Sequence, residues 1–273
     1  CGIEPLGGPG AGLGVALSYG VFFVLNSIVV LRIKQFARYH VFARLPRPIL
    51  GDWWALLKIC IPIGLTVFCE QSIFGAVGLL MAAYGTTVVA AHQAAMNFTT
   101  IVYMLPLSVS MAITILVGFE VGGGRENGAR AYIRLSRVLT LLFVGAIALA
   151  LAVMRDSVAA LYTTNPEVQE FLRVFLLYAL VMQFCDCVNA PLQGALRGYK
   201  DVTVTFWLAV LSFWGIGLPS GYLLAGWTAL GPFGYWVGLN GGIIVGAVML
   251  MMRLRVIENR MRRAVKQRAN PSA

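Results

Sequence analysis

The chain is a succession of apolar runs, each about 20 residues or longer and each closed by Gly, Pro or a charged cluster, and this constrains its fold more than any other feature. That length is what an α-helix needs to cross the hydrocarbon core of a bilayer. Lipid admits only helices and closed barrels, because every backbone polar group must find its partner internally. Seven such runs can be drawn, over about residues 11–31, 55–83, 88–117, 135–154, 170–196, 202–224 and 234–252. Only 12% of the 273 residues are charged and mean hydropathy is +0.80, whereas soluble domains carry about 25% charged residues. The expected fold class is an all-α polytopic membrane protein with seven transmembrane helices; a soluble globular domain is excluded.

The formal net charge of +10 would suit a nucleic-acid partner if it were clustered for one, but it follows topology instead. Lys and Arg accumulate in alternate connections and in the tail, leaving only Arg155 and Arg173 on the opposite side. By the positive-inside rule the start of the chain lies outside and the tail is cytoplasmic. The expectation is a multi-pass protein of the cell (inner or plasma) membrane, with the lipid bilayer as a partner and no nucleic acid. Residues 32–54 form a basic cytoplasmic linker, within which Ile33, Phe36 and Ala37 beside basic residues suggest an interfacial helix. Residues 122–130 (GGGRENGAR) and 155–167 (RDSVAALYTTNPE) read as further connections, and the basic tail 253–273 reads as frayed. The five cysteines show no paired extracellular spacing and read as small packing residues in lipid. The chain begins at Cys1 with neither Met nor a signal-peptide pattern, so an N-terminal portion is expected upstream. A Leu6-Gly7 pair before the first run echoes Leu230-Gly231 before the last, as internal repeats in transporters do.

Two carboxylates sit inside these apolar runs. Glu70 lies near the middle of its segment, with Thr66 at i−4 and Phe74 at i+4 on the same helical face. Asp186 has Gln183 at i−3 and Asn189 at i+3, with Gln193 four further on, and Pro191 within this stripe frees a carbonyl. A third polar row, His92, Gln93, Met96, Asn97 and Thr100, reads as one face. Asn, Gln, Thr and His in membranes commonly do no more than tie helices together, and that reading fits His92 and Gln93. Intramembrane carboxylates mark functional sites by default, and neither has a Lys or Arg at similar depth in its own run. Such a group can carry a proton, coordinate a small cation or attract a cationic substrate. Glu120, beside three glycines, reads as a solvated helix end. No phosphate loop, zinc-protease motif or Ser/His/Asp arrangement is present, so the chain is not expected to be an enzyme or to carry a cofactor.

Several stretches together resemble the multidrug and toxic compound extrusion (MATE) family, in its NorM-like branch. They are Pro62-Ile63-Gly64 with Glu70 downstream, residues 89–98 (VAAHQAAMNF), Val117-Gly118, residues 160–163 (ALYT), 194–201 (GALRGYKD), 217–222 (GLPSGY) and Leu230-Gly231. The resemblance implies twelve helices in two lobes. Residues 1–31 would hold the last helix of the N-terminal lobe and 55–252 the complete six-helix C-terminal lobe, joined by the linker and followed by the tail. It further implies a secondary antiporter that exports cationic or amphipathic drugs against Na⁺ or H⁺, with the missing N-terminal lobe as partner. By motif position, Glu70 and Asp186 match the family's acidic cation-site residues on helices seven and ten, and would hold Na⁺ in a sodium-coupled member. Where some relatives carry a Tyr one turn before the second acid, this chain has Met182. Thr66, Phe74, Gln93, Asn97, Gln183 and Asn189 are the candidates for the substrate cavity. The alternatives are a lipid-linked oligosaccharide flippase of the same wider fold, disfavoured by the interfacial placement of every Lys and Arg, and a seven-helix receptor. The RGYKD stretch, 197–201, reads as a cytoplasmic anchor outside the binding site.

Overall fold

A computed structural model describes residues 7–32 and 49–269. The chain divides into two compact units, residues 1–54 and 55–273. The first contains α1, Gly7–Arg32, an apolar helix closed by its single basic residue, Arg32. The expected interfacial helix at Ile33, Phe36 and Ala37 lies outside the described residues. Instead of continuing as linker to residue 54, the chain turns helical at Leu50, where α2, Leu50–Met81, begins. No proline or glycine pair interrupts it there, and Asp52 in the first turn suits the positive end of the helix dipole.

The second unit holds the rest of α2, then α3 (Thr86–Gly122), α4 (Glu126–Tyr162), α5 (Pro166–Gly198), α6 (Val202–Trp227) and α7 (Phe233–Ala269). Among the described residues, seven helices are long and apolar enough to cross a membrane, as the sequence predicts. Several run beyond the predicted spans. Thirty-seven residues at about 1.5 Å each make α3, α4 and α7 roughly 55 Å long, so their ends project past the hydrocarbon. Residues 155–162, read as a connection, continue α4 because nothing breaks the helix before Thr163. The tail is helical through Ala269 and not frayed over that length.

The stops are local chemistry. The α3–α4 connection shrinks to three residues because Gly124, at φ 72, takes the left-handed position and lets the Arg125 amide donate back to the Glu120 carbonyl at 2.8 Å. The same motif ends α5, where Asp201 N donates to Leu196 O at 3.0 Å. There the left-handed residue is Lys200, at φ 60, and not a glycine. Asn165 caps α5 by accepting from the Glu167 amide at 2.9 Å, with Pro166 at the first helical position. α6 is not uniform: its α-helical ends, Val202–Val210 and Leu218–Trp227, flank a π-helical stretch, Leu211–Gly217.

Packing relies on small residues, as expected where lipid supplies no hydrophobic drive between helices. A Cβ on Gly194 of α5 would lie 2.8 Å from the Ser110 hydroxyl of α3, and one on Gly198 would lie 2.8 Å from Val117 Cβ. Hydroxyls lock that seam: Ser110 donates to Ala190 O at 2.7 Å and Thr114 to Gly194 O at 3.1 Å. Gly234, Gly238 and Gly242 of α7 meet the backbone of α6 in the same way. Pro191 leaves the Cys187 carbonyl without its helical donor, and Thr140 of α4 supplies one at 2.8 Å. The core separates into two clusters. One gathers Ile73, Met81, Leu172, Phe175, Trp236 and Ile243; the other gathers Ile113, Val117, Ile133, Leu192, Leu196 and Leu250. Along α5, Asp186 falls between them.

Candidate functional site

Gln183, Asp186, Asn189 and Gln193 recur along α5 at three- and four-residue spacing, so the helix presents them on one face. Opposite stand Glu70, Gln71 and Phe74 of α2, Met96, Thr99, Thr100, Tyr103, Met104 and Leu107 of α3, and Phe213 from the π-helical stretch of α6. With Met182 and Ala190 these enclose a cavity of about 230 Å³. Glu70 and Asp186, 116 positions apart in the chain, thus line one space and are close enough to act on each other electrostatically.

Their partners differ. Glu70 Oε1 accepts from Gln193 Nε2 at 2.6 Å, and Gln193 Oε1 accepts from the Arg197 guanidinium at 3.1 Å. With Glu70 ionised the orientation of that amide is fixed, since a carboxylate only accepts and a guanidinium only donates. Among the described residues no hydrogen bond reaches the Asp186 carboxylate. Gln183 Nε2 donates to the Thr99 carbonyl at 2.8 Å, tying α5 to α3, while its Oε1 and the Oδ1 of Asn189 are buried without a partner. Trp214 donates to the carbonyl of Cys69, next to Glu70, at 3.2 Å, so α6 is clasped to α2 beside the carboxylate. No third His, Cys, Asp or Glu joins the pair among the described residues. Two carboxylates and two unpartnered amide oxygens make an acceptor-rich site, able to take a proton or to surround a hard cation with oxygen.

The structure gathers Phe74, Gln183 and Asn189 with the two acids. The cavity wall does not include Thr66, Gln93 or Asn97. Thr66 is buried and its hydroxyl is spent on the Pro62 carbonyl at 2.7 Å. Gln93 is exposed, and so is Asn97, whose Oδ1 accepts from Tyr162 at 3.0 Å. Nor do the polar groups of α3 form one face. His92 turns into the core, between Phe175 and Trp236, and accepts from Trp236 Nε1 at 3.2 Å. Tyr103, Met182 and Phe213 were not legible as lining. For Tyr103 a signal existed, since Met96, Thr100, Tyr103 and Leu107 continue a three–four spacing. Arg197 is also more than a headgroup anchor, because it reaches Glu70 through one amide.

This bundle is the fold of the MATE transporters. The solved structure of the eukaryotic MATE transporter AtDTX14 superposes with a TM-score of 0.84 at 18% identity, over 94% of this chain and 58% of that one. A Vibrio cholerae MATE transporter, VcmN, in mutant form gives 0.79 at 20% identity, over 93% and 57%. A sequence model of the MatE family matches residues 62–223. Among curated relatives, "Probable multidrug resistance protein NorM" of Oceanobacillus iheyensis is 48% identical over 260 residues, covering 95% of this chain and 58% of that protein. The Bacillus subtilis protein of the same name is 45% identical over 262 residues, covering 95% and 57%. The chain belongs to the MatE family and spans somewhat over half the length of these relatives.

Proposed function

We propose that this chain carries the coupling-cation site of a secondary active multidrug exporter, with Glu70 and Asp186 as the groups that take the ion. The observation that carries the reading is their shared cavity, with one acid held by an amide and the other free of protein hydrogen bonds among the described residues. Desolvated carboxylates without an ion partner are expensive in a membrane, and a Na⁺ or H⁺ entering the cavity relieves that cost. In the alternating-access cycle the occupied site favours one packing of α2 against α3, α5 and α6, and substrate affinity falls in that arrangement. Phe74, Tyr103 and Phe213, with Met96, Met104 and Met182, suit amphipathic cations through ring faces and adaptable thioethers. The cavity's 230 Å³ is below the roughly 300 Å³ at which drug-sized pockets begin, so a drug that meets these rings and thioethers needs further space beyond the cavity itself.

In the same reading, residues 1–31 close an N-terminal lobe, 55–252 form the C-terminal lobe and the tail is cytoplasmic. The relatives' multidrug-resistance names and greater length support it. The test is gradient-driven efflux of a cationic dye from vesicles containing the full-length protein, with Na⁺ and H⁺ gradients imposed separately. Asp186→Asn should abolish efflux while expression is kept; unchanged efflux would sink the assignment.

A further inference from the structure

Arg197 stands outside the cavity wall yet is linked to it. It sits in the last turn of α5, where a cation opposes the helix dipole, and it is half-buried. Its guanidinium donates to Gln193 at i−4, and the buried Gln193 amide spends its other end on Glu70 of α2. The α3–α5 seam at Gly194 and Gly198 brackets this part of α5 and fixes the helix that carries both residues. A rigid helix end therefore reaches across to α2 by two consecutive charge-assisted hydrogen bonds, each stronger than a neutral one.

We infer that Arg197 is a positioning residue for the cation site, acting on Glu70 through the Gln193 amide. Arg197 fixes which end of the amide faces α2; the amide then holds Glu70 Oε1. Glu70 Oε2 and the Asp186 carboxylate carry no such tether among the described residues and remain for the ion. The inference rests on the reading of Glu70 and Asp186 as the coupling site. It explains why an acid at this depth is linked to a cation at the edge of the membrane without an ion pair that would occupy it.

The experiment is dye efflux from vesicles containing the full-length protein. External Na⁺ is titrated at fixed pH, and pH is titrated without Na⁺, to read the half-saturating concentration of the driving ion. Gln193→Met and Arg197→Met should each raise the half-saturating Na⁺ concentration about tenfold, the equivalent of one charged hydrogen bond, by a larger factor than they lower the maximal rate. If protons drive efflux they should instead lower the half-saturating proton concentration, because the lost donor favours the ionised carboxylate. Arg197→Lys should recover part of the loss, since a point charge keeps one donor but not the planar fork. The decisive variant is the double one: Gln193→Met/Arg197→Met should shift half-saturation by clearly less than the product of the two single effects. Multiplying effects, or an unchanged half-saturation with only reduced assembly, would overturn the relay. Gln193→Asn, which withdraws the amide by one methylene, should shift the half-saturating concentration of each ion in the same direction as Gln193→Met and takes the place of a Met variant that fails to assemble. Asp186→Asn separates the two claims. If it abolishes efflux while the double variant multiplies, the relay falls and the site stands. If it leaves efflux intact, the site and the relay resting on it both fall.

Discussion

Two glycines three residues apart on α7 should respond to the same substitution with opposite signs. Gly238 lies against α6, where an added Cβ would press on the backbone of Gly221 and come within 2.7 Å of the Gly217 carbonyl. Carbon contacts settle near 3.5–4.0 Å, so the helices would have to part by about 1 Å. The obstructing atoms are backbone and cannot rotate aside. Overpacking of this kind costs about 1–3 kcal/mol, against roughly 1 kcal/mol recovered because Ala is the better helix former. The net expectation for Gly238→Ala is a loss of up to about 2 kcal/mol. Gly241 has nothing within 4 Å of the same added atom, so Gly241→Ala keeps the propensity gain and should stabilise by about 0.5–1 kcal/mol. Thermal unfolding in detergent, followed by intrinsic fluorescence, reads both variants on one scale. If Gly238→Ala proved as stable as Gly241→Ala, the α6–α7 seam would not be a contact of backbone against backbone.

Three further outcomes are expected. Trp236→Phe keeps a ring beside His92 and Phe175 but loses the indole donor, and should cost about 1 kcal/mol, whereas Trp236→Ala should cost about 3–5 kcal/mol; an undiminished stability of Trp236→Phe in chemical denaturation would refute the hydrogen bond's share. The Arg253–Asp201 pair, with contacts of 2.6 and 3.0 Å, is partly solvated, so a double-mutant cycle on thermal stability should return about 1 kcal/mol, falling with salt; zero coupling at low salt would refute it. Burial, with Glu258 nearby, pushes the Tyr199 phenol, in the α5–α6 connection, up to about 12. The unfolded chain therefore loses that proton first, and stability should decline as pH rises from about 10 to about 12; Tyr199→Phe should flatten that part of the profile, and an unchanged slope would exclude Tyr199 as its source.

The spans were legible because a bilayer imposes length and hydropathy on any helix that crosses it. Their ends were not, because outside the lipid a helix stops only where chemistry stops it, as at Gly124 and Lys200. The two acids stood out by the cost of a charge among apolar residues, and Gln183 and Asn189 by their helical spacing from Asp186. Tertiary choice hid the rest. His92 and Gln93 are neighbours in sequence, yet one enters the core and the other is exposed. That Gln193 turns to Glu70 depends on how α2 lies against α5, which no local pattern encodes. Phe213 enters the cavity from a π-helical stretch that shifts the phase of α6, so an α-helical wheel misplaces it.

The small-residue seams have a mechanical consequence. Where the nearest atoms are backbone, at Gly194 against Ser110 and Gly238 against Gly221, little can yield, and each helix pair behaves as a single stiff beam. On α2 an added Cβ finds nothing within 4 Å at Gly64 or Gly75, and only side chains at Gly78, so the grip on that helix is compliant. Glu70 rides the compliant member and Asp186 a stiff one. On the coupling reading, a load applied between the two acids would fall first on the side-chain contacts of α2, with the paired helices serving as the frame.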